Sequence, residues 1–267
     1  IEVEETARVE EEFVIFGVRA CDARSFSILD KVFLADPVDT YYQARREHGI
    51  VVSMACHRPE ETCFCSTFGI DATKPEGDVV TWIAEDTLYW EAQTEKGEGL
   101  TKKVEAVLAE SDSKAVEAQQ AAVKEILKKL PLADLDLSYF TSRPELEIFK
   151  REEWKELSSH CLGCGTCTFV CPTCQCYDVR DYDTGQCVHR YRCWDSCMYS
   201  DFTMMAHGNN RTSQMQRFRQ RFMHKLVYYP ANNNGMYSCV GCGRCLKKCP
   251  NSLNIVKVAK TLGGTQA

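Results

Sequence analysis

The stretch 161-CLGCGTCTFVCPTCQC-176 sets six cysteines in sixteen residues, and its spacing decides how the second half of the chain is built. Cys161, Cys164, Cys167 and Cys171, followed by Pro172, spell C-x2-C-x2-C-x3-C-P; Cys239, Cys242, Cys245 and Cys249, followed by Pro250, spell it again. Thiolates two residues apart can wrap one corner of a small cube. The repeated run is the bacterial pattern for [4Fe–4S] clusters, in which the fourth cysteine of each run ligates the other cluster. The spacing therefore assigns Cys161, Cys164, Cys167 and Cys249 to one cluster, and Cys239, Cys242, Cys245 and Cys171 to a second. Gly163, Gly165, Gly241 and Gly243 lie between the ligands, where they let backbone amides approach the sulfurs. Structural zinc sites want four ligands in C-x2-C pairs, which this repeat is not.

The interval 172–238 between the runs is too long for a compact ferredoxin. Within it, "SQMQRFRQRFMHKLVYY" (213–229) carries Met215, Phe218, Phe222 and Leu226 as an apolar stripe, with Arg217, Arg219, Arg221 and Lys225 largely off it. A helical insert between two cubane runs predicts an α-helical ferredoxin-like domain over 159–267. The cations have three readings: balancing negative clusters, docking an acidic partner, or plain solvation. The insert also holds Cys174, Cys176, Cys187, Cys193 and Cys197, which have no ligand spacing of their own. Four of them, Cys174, Cys176, Cys193 and Cys197, could hold a further cluster or shield the neighbouring ones as small soft side chains.

Upstream, "FVIFGV" (13–18) and "GIVVSMAC" (49–56) read as strands, "RACDARSFSILDKVFL" as a helix, and "DVVTWIAEDTLYWEAQTEKG" (78–97) as a hairpin turning near Ala84–Thr87. These predict a small α/β domain over 1–100, whose start is expected upstream because the chain opens at Ile1 within an acidic segment. A helical connector follows over 101–158, with a possible break near 111-SDS-113 and a further helix from Ser142–Pro144 that points Leu146, Phe149, Trp154 and Leu157 inward. The whole is an α+β chain. Cys21, and Cys56, Cys63 and Cys65 in "ACHRPEETCFCSTFG", follow predicted strands whose ends converge on one sheet edge. Those four thiols are candidates for a third cluster, with a zinc site or ordinary buried thiols as the alternatives. His57 and His160 adjoin proposed ligands and are left unassigned.

Seventeen cysteines in tight C-x-x-C clusters point to metal binding in a reducing, cytoplasmic setting. Residues 1–160 carry 33 acidic against 19 basic side chains, whereas 161–267 carry 5 against 13. An acidic whole without a base-reading module argues against nucleic acid. No run approaches the roughly 18 apolar residues of a spanning helix, so no transmembrane segment is expected. No phosphate-cradling G-x-G-x-x-G and no hydrolytic triad pattern is present.

Taken in order, "FGVRACDARSFSILDKVF", "ACHRPEETCFCSTFG", "CLGCGTCTFVCPTCQCYDV", "RCWDSC" and "YSCVGCGRCLKKCP" resemble the family of iron–sulfur subunits found in anaerobic sulfite reductases and, as the beta chain, in cytoplasmic sulfhydrogenases. Similar proteins accompany heterodisulfide-reductase-type complexes. The resemblance covers roughly 13–260. It implies membership of a multisubunit anaerobic oxidoreductase, relaying electrons between a flavoprotein subunit that handles NAD(P)H and a separate catalytic subunit. The eight ferredoxin-run cysteines carry over as ligands, and Cys21, Cys56, Cys63 and Cys65 as candidates. The competing reading is a catalytic reductase acting on sulfite or a disulfide at an exposed cluster; a purely structural metal scaffold is a third.

Overall fold

The computed structural model describes residues 2–264. In the first half, β1 (Phe13–Arg19), α1 (Ala20–Phe33), α2 (Thr40–His48), β2 (Gly49–Met54), β3 (Val79–Ala84) and β4 (Thr87–Ala92) follow one another, and the strands form one sheet in the order β1-β2-β3-β4. The first three strands are parallel and β4 returns antiparallel from β3. β2 is buried along nearly its whole length, which is why "GIVVSM" is a continuous apolar run: a parallel inner strand is covered on both faces. Two helices complete this half, α3 (Glu95–Val104) and α4 (Lys114–Lys128), separated near the expected break. α4 places Val116 against Ala55, Val80 and Trp82.

The chain divides into two compact units. One takes the residues up to Ala133 together with Val240–Cys242; the other takes Asp134–Cys239 and the chain from Gly243. The division falls inside the stretch expected as a connector, so α3 and α4 go with the first unit and the helices after Asp134 with the second.

In the second unit, α5 (Ser138–Ser142), α6 (Glu145–Phe149) and α7 (Glu153–Ser158) stand where one helix from Ser142–Pro144 is expected. The break at 150–152, where Arg151 pairs with Glu153 and donates to the Tyr139 hydroxyl at 2.7 Å, changes the helical phase. Ile148 is consequently buried and Leu146 exposed, whereas Trp154 and Leu157 point inward as expected. After α8 (Thr166–Phe169) comes a departure from the expected helical insert. β5 (Tyr177–Asp183) and β6 (Val188–Trp194) form an antiparallel hairpin, followed by a small pair, β7 (Met204–Met205) and β8 (Gly208–Asn209). The aromatic and β-branched residues Tyr177, Val179, Tyr182, Val188, Tyr191 and Trp194 on either side of a turn at Gly185, whose φ is +81°, favour the ribbon over a helix.

Helix α9 (Gln214–Met223) starts with a reciprocal cap, Ser213 accepting from the Gln216 amide and Gln216 from that of Ser213. It runs through a π-helical turn, His224–Tyr228, into α10 (Tyr229–Asn232). α11 (Arg244–Lys248) and α12 (Ile255–Gly263) end the fold; Asn254 caps α12 by accepting from the amides of Val256 and Lys257. The core of this unit is built from Trp154 stacked edge-on against Phe218, with Phe222, Leu226, Val258 and Leu262. Among the described residues no helix is long and apolar enough to cross a membrane.

Candidate metal centres

All seventeen cysteines are free thiols. Cys161 and Cys164, in the loop after α7, Cys167 in α8, and Cys249 just past α11 ring one cavity whose apolar walls include Met198, Phe218, Phe222 and Leu253. These are the four residues the spacing assigns to one cluster. Two distant stretches of chain supply them, and four soft thiol donors in apolar surroundings suit an iron–sulfur cube. The thiols surround the cavity instead of converging on a point: among the described residues no three His, Cys, Asp or Glu groups are placed to grip a single ion. Hydrogen bonds already reach the sulfurs. Gln214 Nε2 donates to Cys161 Sγ at 3.4 Å and the Leu253 amide to Cys249 Sγ at 3.3 Å. The hydroxyl and amide of Thr166 hold the exposed Cys164 thiol below its ordinary pKa, while burial pushes Cys167 up to about 11. Gly165 stands in the left-handed region at φ +70°, and a methyl there would run into the Tyr199 ring, whose hydroxyl donates to Cys164 O.

Around the second set, the half-buried Cys171 accepts from the thiol of Cys174. That bond, with Lys225 and Arg221 nearby, outweighs burial and holds Cys171 well below its ordinary pKa. Thr173 Oγ1 lies 3.2 Å from Cys171 Sγ and donates to Ser238 O. Cys239 ends the stretch of the second unit that precedes Val240, and Cys245 lies in α11 near Cys167. Cys242 lies in the Val240–Cys242 segment that belongs with the first unit.

The remaining insert cysteines separate. Cys176 and Cys197 meet at the foot of the β5–β6 hairpin, where the Asp195 amide donates to Cys176 O; a hydrogen bond from Cys197 brings Cys176 down to about 7. Cys187 is exposed at the turn, 3.3 Å from His189 Nε2, and Cys193 lies on β6 opposite Asp178.

Two cations of α9 and its π-turn depart from ordinary surface behaviour. Arg221 and Lys225 are each 3% exposed. Arg221 Nη2 donates to Cys167 O at 2.8 Å, and Lys225 Nζ to Thr173 Oγ1 and Ser238 O, both at 2.8 Å. Burial works against both charges, yet the surrounding thiols keep both pKa values above their usual range. Of the three sequence readings, solvation fails for these two. Arg219 instead lies over the Phe149 ring, 3.5 Å from its centroid. The sequence signal was the absence of any Asp or Glu from 213–229, since a cationic helix with no acidic neighbour along it must find its counter-charge elsewhere. Gln214, Thr166, Thr173 and the Leu253 amide carry no comparable signal.

In the first unit, Cys21 opens α1 just after β1, and Cys56 follows β2, the strand paired with β1. Cys56, Cys63 and Cys65 lie close enough for each charge to act on the next. Burial raises Cys56, and burial followed by Cys63 and Cys56 pushes Cys65 up to about 11. Arg19 reaches Cys56 Sγ at 4.0 Å. His57 Nδ1 is buried without a hydrogen-bond partner, whereas His160 Nδ1 lies 2.9 Å from Ser159 Oγ on the rim of the first cavity.

The family described as a 4Fe-4S dicluster domain matches residues 160–253. The sulfhydrogenase 2 subunit beta of Pyrococcus furiosus is 37% identical over 257 residues, covering 92% of this chain and 73% of the relative. No solved structure matches the chain.

Proposed function

The chain belongs to the iron–sulfur family of the sulfhydrogenase beta subunits, and on that premise we propose that it relays electrons between a flavoprotein subunit handling NAD(P)H and a separate catalytic subunit of a multisubunit oxidoreductase. Bound [4Fe–4S] clusters supply one-electron chemistry without rearranging the protein. Cys161, Cys164, Cys167 and Cys249 hold the first and, by motif spacing, Cys239, Cys242, Cys245 and Cys171 the second. Cys21, Cys56, Cys63 and Cys65 hold a third. Gln214 and the Leu253 amide orient and stabilise the sulfurs of Cys161 and Cys249. Phe218, Phe222, Met198 and Leu253 keep water from the cavity, while the exposed Cys164 marks the side open to a partner.

The observation that carries this reading is the single cavity ringed by Cys161, Cys164, Cys167 and Cys249. Protein purified without oxygen is expected to contain iron and labile sulfide in equal amounts, to bleach with dithionite, and to copurify with a flavoprotein. Cys161→Ser should remove about four irons per chain, one cube's worth. Zinc in place of iron, or an unchanged iron content in Cys161→Ser, would overturn the assignment.

A further inference from the structure

Arg221 and Lys225 stand one helical turn apart on the same face, and neither has a carboxylate partner among the described residues. Their hydrogen bonds go to neutral oxygens: Cys167 O, Thr173 Oγ1 and Ser238 O. Arg221 Nε and Nη1 are buried with no hydrogen-bond partner, and the guanidinium carbon lies 4.7 Å from the Phe222 ring centroid, which supplies no negative charge to match it. An isolated buried cation is costly enough that proteins pair it or neutralise it, and a guanidinium is not neutralised. The thiols that face Arg221 are those of Cys167, Cys171, Cys174 and Cys245; Lys225 faces Cys171, Cys174 and Cys239, and Arg221 as a second cation. A neutral set of thiols would leave two positive charges stranded. An anionic one answers both.

We propose that Arg221 and Lys225 are the built-in counter-charges of the two ferredoxin-run centres, positioned to favour the reduced state of each and so to set the potential at which the chain accepts electrons. This rests on the electron-relay reading above and adds to it the residues that tune the relay. Reduction delivers one electron to a centre, forms or breaks no bond to the protein, and takes up no proton. The local charge becomes more negative by one. A fixed positive charge in a low-dielectric surrounding stabilises that product more than the oxidised starting state, so it raises the potential. Arg221 faces thiols of both cysteine runs, Cys167 and Cys171 from the first and Cys245 from the second. Its charge therefore acts on both centres together. Arg219, drawn onto the Phe149 ring, is the internal comparison.

The test is a dithionite titration of the anaerobically purified protein, followed by electron paramagnetic resonance and visible absorbance, with iron content measured on each sample. Arg221→Met should lower both midpoints and Lys225→Met that of the centre holding Cys171 and Cys239, each changing the oxidised-to-reduced ratio at fixed potential by about tenfold or more, which for one electron is about 59 mV. Arg221→Lys should recover most of the shift, and Arg219→Met should leave the midpoints in place. Unmoved midpoints in the two Met variants at full iron content would overturn the proposal. Should both Met variants lose iron, Arg221→Lys and Lys225→Arg decide: iron kept supports a need for charge, and iron lost assigns the residues to packing and overturns it. Wild-type protein that holds no bleachable iron would instead defeat the relay reading itself.

Discussion

His224 precedes the buried Lys225 in the π-helical turn and packs edge-on against Tyr229. Burial first, then the charges of Lys225 and Arg211, lowers its pKa to about 4. A group depressed in the folded state contributes stability that is complete above its unfolded pKa and is lost as pH falls toward its folded one. For His224 that window runs from about pH 6.5 down to about pH 4, and the loss between about pH 7 and about pH 5 amounts to about 2 kcal/mol. Urea unfolding at the two pH values should show His224→Gln losing correspondingly less stability than wild type on acidification; equal losses would remove His224 as the cause. At this scale the cysteine runs were legible because a cube imposes its own spacing on the chain. Arg221 and Lys225 were legible only in part: the missing Asp and Glu over 213–229 ask for a counter-charge elsewhere, but periodicity does not say what the cationic face meets.

The β5–β6 hairpin shows the same contrast for an element. Its aromatic and β-branched residues and the Thr–Gly pair at its turn are visible in the sequence, yet the ferredoxin-run context drew the insert toward helix. Both faces of the ribbon are exposed, with Tyr182, Val188, Tyr191 and Trp194 among its solvent-facing side chains. An isolated two-stranded ribbon is marginal in water, so this one is held by its feet, where Cys176 and Asp195 pair and Cys197 meets Cys176. Replacing residues 178–193 by a short Gly-rich turn removes Cys187 and Cys193 while sparing that foot. Iron content and the dithionite-bleached spectrum should be unchanged. A drop in iron would show that one of these two thiols serves as a ligand after all. The helix over 213–229 fared better in the sequence because its apolar stripe and capping Ser213 are both local signals, although the π-turn within it has none.

For the whole molecule, the division into units could not be read from composition. Charge changes sign near residue 160, whereas the structure divides near Ala133 and returns Val240–Cys242 to the first unit. That return depends on a close backbone approach: the Phe64 amide donates to Gly241 O at 2.9 Å, and Gly241 sits at φ +61°, where an added methyl would collide with the Phe64 carbonyl. Gly241→Ala adds left-handed strain of about 1–3 kcal/mol to that collision. Because Gly241 neighbours Cys242, the variant should lose stability in denaturant and lose iron as well. Wild-type stability would mean the segment has an easy alternative path.

The first ring also has a temporal side. Three of its thiols leave the ribosome within seven residues of one another, but Cys249 emerges only after the hairpin, the long helix and most of the second cysteine run have been made. A nascent chain can therefore offer iron at most three of the four sulfurs of that ring until Cys249 has been made, so assembly machinery must act after that point, and messages cut short before the Cys249 codon should yield a product whose cavity lacks its fourth thiol.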